Sequence, residues 1–223
     1  MNTDANFVPY VRDTYPPEEM EIRAKEFHEF MEQRRTVRQF SSKPIPKAVM
    51  EQIVMTASTA PSGAHKQPWT FCAVSNAELK SKIREAAEKE EYTNYHGRMS
   101  DTWLKDLEPF ATDWHKPFLE EAPWLIIVFK RAYELDEDGQ KHNNYYVNES
   151  VGLACGFLLA AVHQAGLVAL THTPSPMNFL TKVLSRPENE RAFLLIPVGY
   201  PPEQVKVPKL TRKKVDQVIE FYE

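Results

Sequence analysis

Cysteine is scarce in this chain: among 223 residues only Cys72 and Cys155 occur, each set among apolar neighbours. Two such thiols imply no disulfide framework and read as buried structural groups, which fits a reducing cytoplasm. A surplus of positive charge is also missing. Lysine plus arginine number 27 against 31 aspartate plus glutamate, for a net charge of −4 and a pI near 6. That balance excludes the basic footprint of a nucleic-acid binder, so no nucleic-acid partner is expected. Long hydrophobic runs are absent as well. The longest, Val151 to Val162, is too short to span a bilayer and predicts a buried helix. The N-terminus through Arg23 has neither the basic region nor the apolar core of a signal peptide. Together these absences predict a soluble, cytoplasmic protein with no membrane partner.

The usual catalytic signatures are missing too. There is no GxGxxG, no GxxxxGK[ST] and no GxSxG, which argues against a Rossmann site, a P-loop and a nucleophile elbow. The seven histidines (28, 65, 96, 115, 142, 163 and 172) fall in no HExxH or Cys/His metal pattern, so no metal is expected. No nucleophile–base pair, internal repeat or low-complexity tract is visible. An enzyme built from this chain would rely on a bound organic cofactor for its chemistry.

At this length one well-buried domain is expected, covering residues 1–223. The first twenty residues, with Pro9, Pro16 and Pro17, predict an extended arm that lies across a neighbouring surface, such as a partner subunit. Helices are predicted over Glu19–Gln33, Lys47–Ala57, Ala77–Glu91, Asn148–Gln164 and Asn178–Leu184, and strands over Trp69–Val74, Pro123–Phe129, Leu167–Leu170 and Phe193–Val198. The 148–164 helix is apolar on nearly all faces, with Gly152, Cys155 and Gly156 permitting close packing; it belongs in a core or a subunit interface. From Tyr92 to Phe118 no period holds, and loops of that length are usually functional.

Against this background, three guanidinium groups and a hydroxyl within five residues stand out: Arg34, Arg35, Thr36 and Arg38. Guanidinium forks bind phosphate oxygens in bidentate pairs and stay charged at any physiological pH, so the cluster suits a dianionic phosphate. Downstream, Pro61-Ser62-Gly63-Ala64-His65-Lys66-Gln67-Pro68-Trp69 offers a small-residue turn where backbone N–H groups can approach a flat ligand. Thr171-His172-Thr173-Pro174 places hydroxyls directly after a strand, and the basic stretch Lys209–Lys214 offers a further phosphate contact, Arg212.

Arg-Arg-Thr-x-Arg, then Pro-Ser-Gly-Ala-His-Lys-Gln-Pro-Trp, then Leu-Ile-Pro-Val-Gly-Tyr-Pro, resembles the nitroreductase-fold flavoproteins from about Glu19 to the C-terminus. The resemblance implies an α+β fold with a central, mostly antiparallel sheet flanked by helices. It also implies an intertwined homodimer that binds FMN at the subunit interface. Carried over, Arg34, Arg35, Thr36, Arg38 and Arg212 would hold the FMN phosphate, and Pro61, Ser62, Gly63 and Ala64 would line the isoalloxazine.

The Ser-Gly-Ala-His-Lys-Gln-Pro-Trp form is similar to that of the iodotyrosine deiodinases in particular. In that family a Glu, a Tyr and a Lys close as a mobile lid over a halotyrosine; the matching residues are Glu91, Tyr95 and Lys116, within a lid expected over 88–118. A halotyrosine is a zwitterion, so its ammonium needs a carboxylate and its carboxylate needs a cation. The implied reaction is FMN-dependent reductive dehalogenation by one-electron flavin steps, with an external reductase or ferredoxin as electron donor. The Ala64 N–H would meet the phenolate oxygen, and Thr173, preferred over Thr171 because it directly precedes proline, would hydrogen-bond flavin N5. Pro174 to Asn178 departs from the family's Thr-Pro-Leu-Asn, and the membrane anchor of vertebrate members is not visible. Rival readings of the same fold are a general NAD(P)H nitro or quinone reductase, a flavin-consuming enzyme and a non-catalytic flavin binder.

Overall fold

The computed structural model describes residues 7–223, and the chain forms two compact units, one ending at Arg34 and one running from Arg35 to Glu223. Of the expected extended arm, the first six residues lie outside the described residues. Residues 7–16 have no regular structure, and helix α1 (Pro17–Glu32) begins at Pro17. The arm is shorter than expected because proline fits the first helical turn, and Glu18 and Glu19 complement the dipole there. α1 buries none of its residues; Met20, Ile22 and Phe27 are all more than half exposed.

In the second unit the elements follow in the order α2 (Lys47–Ser58), β1 (Trp69–Val74), α3 (Ala77–Thr93), α4 (Asp101–Leu107), α5 (Phe118–Glu121), β2 (Trp124–Arg131), β3 (Tyr133–Leu135), β4 (Lys141–Asn143), α6 (Val147–Gln164), β5 (Val168–Ala169), α7 (Asn178–Val183) and β6 (Glu190–Gly199). Four strands form one sheet in the order β1-β2-β6-β5, every pair antiparallel, while β3 and β4 make a separate hairpin. Thr36 bridges Ala169 in the parallel sense, with the Val37 N–H donating to the Ala169 carbonyl at 3.2 Å. That bridge lays the arginine-bearing segment along the edge of β5.

The unbroken apolar run in β2 has a simple cause: both faces of the strand are covered. Ile126 and Val128 pack with Met50 and Ile53 of α2 and Val151 and Leu158 of α6. Leu125, Ile127 and Phe129 pack with Ile83 and Ala87 of α3, Leu119 of α5 and Leu180 of α7. The fold is thus a helix–sheet–helix sandwich. α6 is only half enclosed by its own chain. Ser150, Val151, Ala154, Cys155, Leu158 and Val162 are buried, whereas Gly152, Leu153, Gly156 and Phe157 on the other side are exposed. An apolar helix with one bare face is the feature that an interface would cover.

β6 starts at Glu190, three residues earlier than its apolar pattern suggests. Glu190 is 2% exposed and accepts from Arg186 Nε at 2.7 Å and from Thr70 Oγ1 at 2.7 Å, with Arg131 Nε 3.4 Å away. Burial alone would raise its carboxyl pKa, but Arg186, Thr70 and Arg131 together hold it below the usual range. Glu190→Ala leaves two guanidinium groups that still reach water, so the cost is that of charge-assisted hydrogen bonds, about 2 kcal/mol. Thermal unfolding is expected to drop by about 4–8 °C at neutral pH. Because the native pKa is depressed, the wild-type advantage is present above the unfolded carboxylate range and shrinks as pH falls through the native value. A calorimetric comparison at pH 7 and at acid pH checks both points.

Candidate active site

The segment from Arg35 to Arg38 is extended, so alternate side chains take opposite sides. Thr36 and Arg38 line a cavity of about 470 Å³, together with Phe110, Thr112 and Lys206. Val37 between them is buried, and Arg35 instead donates to the Pro208 carbonyl, tying the segment to the C-terminal tail. Arg34 ends the first unit, where its N–H donates to the Met31 carbonyl at 3.2 Å. Arg212 lies on the exposed tail and lines neither this cavity nor the one below, whereas Lys206, not singled out from the sequence, lines this one.

Arg38 is the pivotal cation. It is half-buried, and no carboxylate pairs with it among the described residues; its one ring contact is Phe110, 5.2 Å from the guanidinium. Burial lowers its pKa, which marks a cation held without a counter-ion. A guanidinium facing a cavity has the chemistry to bind an anion there.

Arg38 also lines a second, smaller cavity of about 160 Å³, shared with Glu91, Tyr95, Trp103, Lys116 and Thr173. The segment from Tyr92 to Phe118 therefore has structure. α3 runs on to Thr93, a π-turn spans Asn94–Arg98, and Ser100 caps α4 by accepting from the Trp103 N–H at 3.2 Å. Met99, Trp103 and Leu107, spaced by four, form the apolar wall of the cavity. That spacing and the Ser100 cap were the legible signals in a stretch that otherwise shows no period.

Glu91, Tyr95 and Lys116 come together as expected, and two of them are deeply buried. Glu91 is 6% and Lys116 3% exposed, with Nζ 3.4 Å from the Glu91 carboxylate. Lys116 Nζ also donates to the Asp113 carbonyl, and the Tyr95 ring lies 5.4 Å from it, its hydroxyl donating to the Thr112 carbonyl at 3.2 Å. Burial raises the Glu91 pKa and lowers that of Lys116, in each case against the pull of the partner. Desolvation thus works against both charges, and each depends on the other for compensation.

Thr171 and Thr173 reach the same cavity from the end of the sheet, exposed, with neither hydroxyl hydrogen-bonded among the described residues. His172 between them is buried and lines the same cavity. The Pro61–Ala64 turn contributes to neither cavity. It docks instead on the start of α6, where the Gly63 N–H reaches Ser150 Oγ at 3.3 Å. A Cβ at Gly63 would lie 2.9 Å from the Tyr145 carbonyl oxygen, which is why glycine stands there. Ser62 Oγ accepts from the Gln67 N–H at 2.9 Å. Ala64 adopts φ +48°, a left-handed conformation costing on the order of 1 kcal/mol for a non-glycine residue, and its N–H has no acceptor among the described residues. Strain of this kind with a spare donor is characteristic of a binding turn.

Comparison with known proteins agrees with this geometry. The model of the nitroreductase family matches residues 31–200. Iodotyrosine deiodinase of Haliscomenobacter hydrossis is 65% identical over 216 residues, 97% of each chain. The Hydra vulgaris iodotyrosine deiodinase is 46% identical over 96% of this chain and 79% of its own. A crystal structure of oxidized iodotyrosine deiodinase bound to FMN and 3-iodo-L-tyrosine superposes with a TM-score of 0.75 at 32% identity, covering 88% of this chain and 99% of that one. With the antiparallel sandwich, the loop-borne arginine and the buried Glu91–Lys116 pair already described, the chain belongs to the nitroreductase family, in its iodotyrosine deiodinase group.

Proposed function

We propose that this protein catalyses the FMN-dependent reductive dehalogenation of halotyrosines to tyrosine and halide, with iodotyrosines as substrates and bromo- and chlorotyrosine in the same class. The observation that carries the reading is the buried Glu91–Lys116 pair sharing a cavity with Arg38, which no carboxylate pairs among the described residues. The residues present fit FMN: Arg38, Thr36 and Lys206 face a cavity of about 470 Å³ whose one lining acid, Asp113, lies 3.3 Å from His115 Nδ1. Arg34, Arg35 and Arg212 complete the phosphate-binding set in the proposal. When bound and reduced, the flavin supplies the two electrons of the reaction.

The protein's own residues do the rest. Lys116 binds the substrate carboxylate, Glu91 its ammonium, and Tyr95 adds a hydroxyl hydrogen bond. The lid then excludes water, which strengthens each of these contacts. The Ala64 N–H donates to the phenolate oxygen, and Thr173 holds a hydrogen bond at the flavin edge. The turn at 61–64 lines neither cavity of its own chain, and α6 has a bare apolar face. Both features support a homodimer in which each turn completes the partner's site. An external reductase or ferredoxin renews the electrons. Cys72 and Cys155 are free thiols, in keeping with a cytoplasmic setting, and burial pushes the Cys155 pKa up to about 12, leaving it inert. Among the described residues no helix is long and apolar enough to cross a membrane.

The test is anaerobic. The holoprotein is reduced with dithionite and mixed with 3-iodotyrosine while the flavin absorbance is followed. One tyrosine and one iodide are expected per FMN reoxidised, since two electrons and one proton replace the C–I bond by C–H. Reduced flavin that ignores 3-iodotyrosine but is rapidly oxidised by a nitroaromatic would make the protein a general reductase instead.

A further inference from the structure

His172 is a buried titratable group for which the proposed reaction has no use. Its backbone is locked to Leu195 in both directions, N–H to carbonyl at 2.9 Å and back at 3.0 Å, so the residue cannot swing away. The side chain is 9% exposed, and Phe118 meets its ring edge-on, centroid to centroid 5.5 Å. Nε2 is buried with no hydrogen-bond partner among the described residues. Phe118 follows Lys116 by two residues, and both line the smaller cavity together with His172. The imidazole therefore sits against the root of the lid, with a polar atom left unanswered.

We propose that His172 is a positioning residue for the lid: the Lys116–Phe118 segment seats only against the neutral imidazole, so protonation of His172 in the open protein holds the lid off the substrate. The idea rests on the reading of Lys116 as a lid residue that closes on its ligand. The groups facing the ring favour the neutral form. Lys116 precedes α5, and Arg38 comes from the segment along β5; both are cations. Glu91 of α3 is already occupied by Lys116, Asp113 is turned to His115, and Tyr95 is uncharged. From β6 the contact is the Leu195 backbone, which carries no charge.

Burial first, then Lys116 and Arg38, pull the His172 pKa down to about 3 in the closed arrangement. An exposed histidine titrates near 6.5. The closed state binds fewer protons, so closure is fully available above about pH 6.5 and weakens as pH falls, by roughly tenfold per unit until pH 3.

The experiment compares wild-type holoenzyme with His172→Phe and His172→Gln, neither of which can titrate. Dissociation constants for 3-iodotyrosine come from quenching of flavin fluorescence at pH 7.5 and 5.5. Amide exchange of residues 99–118 in the ligand-free holoenzyme is measured at the same two values, corrected for intrinsic rates. Ionisation of the ligand's phenol is common to all three proteins. Between the two pH values the product of affinity and lid protection is expected to fall about tenfold more in wild type than in either variant. Equal pH ratios in all three proteins, with lid protection indifferent to residue 172, would overturn the proposal. Complete failure to bind 3-iodotyrosine would instead sink the deiodinase reading, and the ligand-free exchange would still decide the role of His172.

Discussion

Lys116→Met is expected to raise the KM for 3-iodotyrosine by about 100-fold or more, while FMN stays bound and a nitroaromatic is still reduced at the wild-type rate. The magnitude follows from a buried, charge-assisted contact, worth about 2–5 kcal/mol when one partner is removed. Glu91→Gln is expected to act in the same direction, because the substrate ammonium loses its carboxylate. Each single change also strands the other charge, which is 8% exposed for the Glu91 side chain and 4% for Lys116. That penalty is expected to appear as local opening of residues 99–116 and to leave the unfolding temperature within about 2 °C, since the segment can lift without breaking the sandwich. The double change Lys116→Met with Glu91→Gln separates the two effects. It is expected to restore protection of the lid amides and to leave iodotyrosine binding lost. Wild-type affinity for 3-iodotyrosine in Lys116→Met would return the pair to a purely structural role.

Arg38→Met is expected to weaken FMN binding by about 10–100-fold, the worth of one charge-assisted bidentate contact to a phosphate or cofactor edge. Titration of flavin fluorescence into apoprotein measures it directly. Arg38→Lys is expected to recover only part of the affinity, because an ammonium lacks the planar fork. The apoprotein should show the opposite trend in stability. Arg38 is half-buried with no carboxylate partner among the described residues, so burial of its charge is poorly compensated without an anion. Its removal is expected to leave the unfolding temperature of apoprotein unchanged or slightly raised, with the gain lost once FMN is present for the wild type. A residue whose loss stabilises the empty protein and destabilises the loaded one is a binding residue. Equal FMN affinity in Arg38→Met would place the anion contact elsewhere on the chain.

The elements predicted with the clearest periodicity or composition were found nearly as drawn. Trp69–Val74 matched residue for residue, and α2, α3 and α6 came within two residues at either end. These segments are long or fully covered, so their patterns reflect burial directly. The hairpin of β3 and β4 was missed because its six residues are mostly exposed and face no core that would write a pattern into them. α4 and α5 were missed for a related reason: they are one or two turns long and held by a cap or by neighbours.

Among the site residues, the chemistry was legible and the partition was not. Glu91, Tyr95 and Lys116 could be named because their positions resemble the deiodinase lid, and opposite charges there suit a zwitterion. That Glu91 and Lys116 satisfy each other in the absence of ligand depends on how α3 and the 112–117 segment fold back, a non-local fact. The arginine cluster shows the same division. Residue types suggested an anion site, and the extended backbone sends Arg38 to the cavity and Arg35 to the Pro208 carbonyl. Lys206 and His172 gave no local signal, since one lies on an irregular tail and the other is an isolated histidine between two threonines. Local pattern thus determined the longer elements, and the ordered motifs pointed to the family by resemblance. Only the tertiary structure decided which charges are buried, which are paired and which are left waiting, because burial and pairing are properties of segments that meet across the fold.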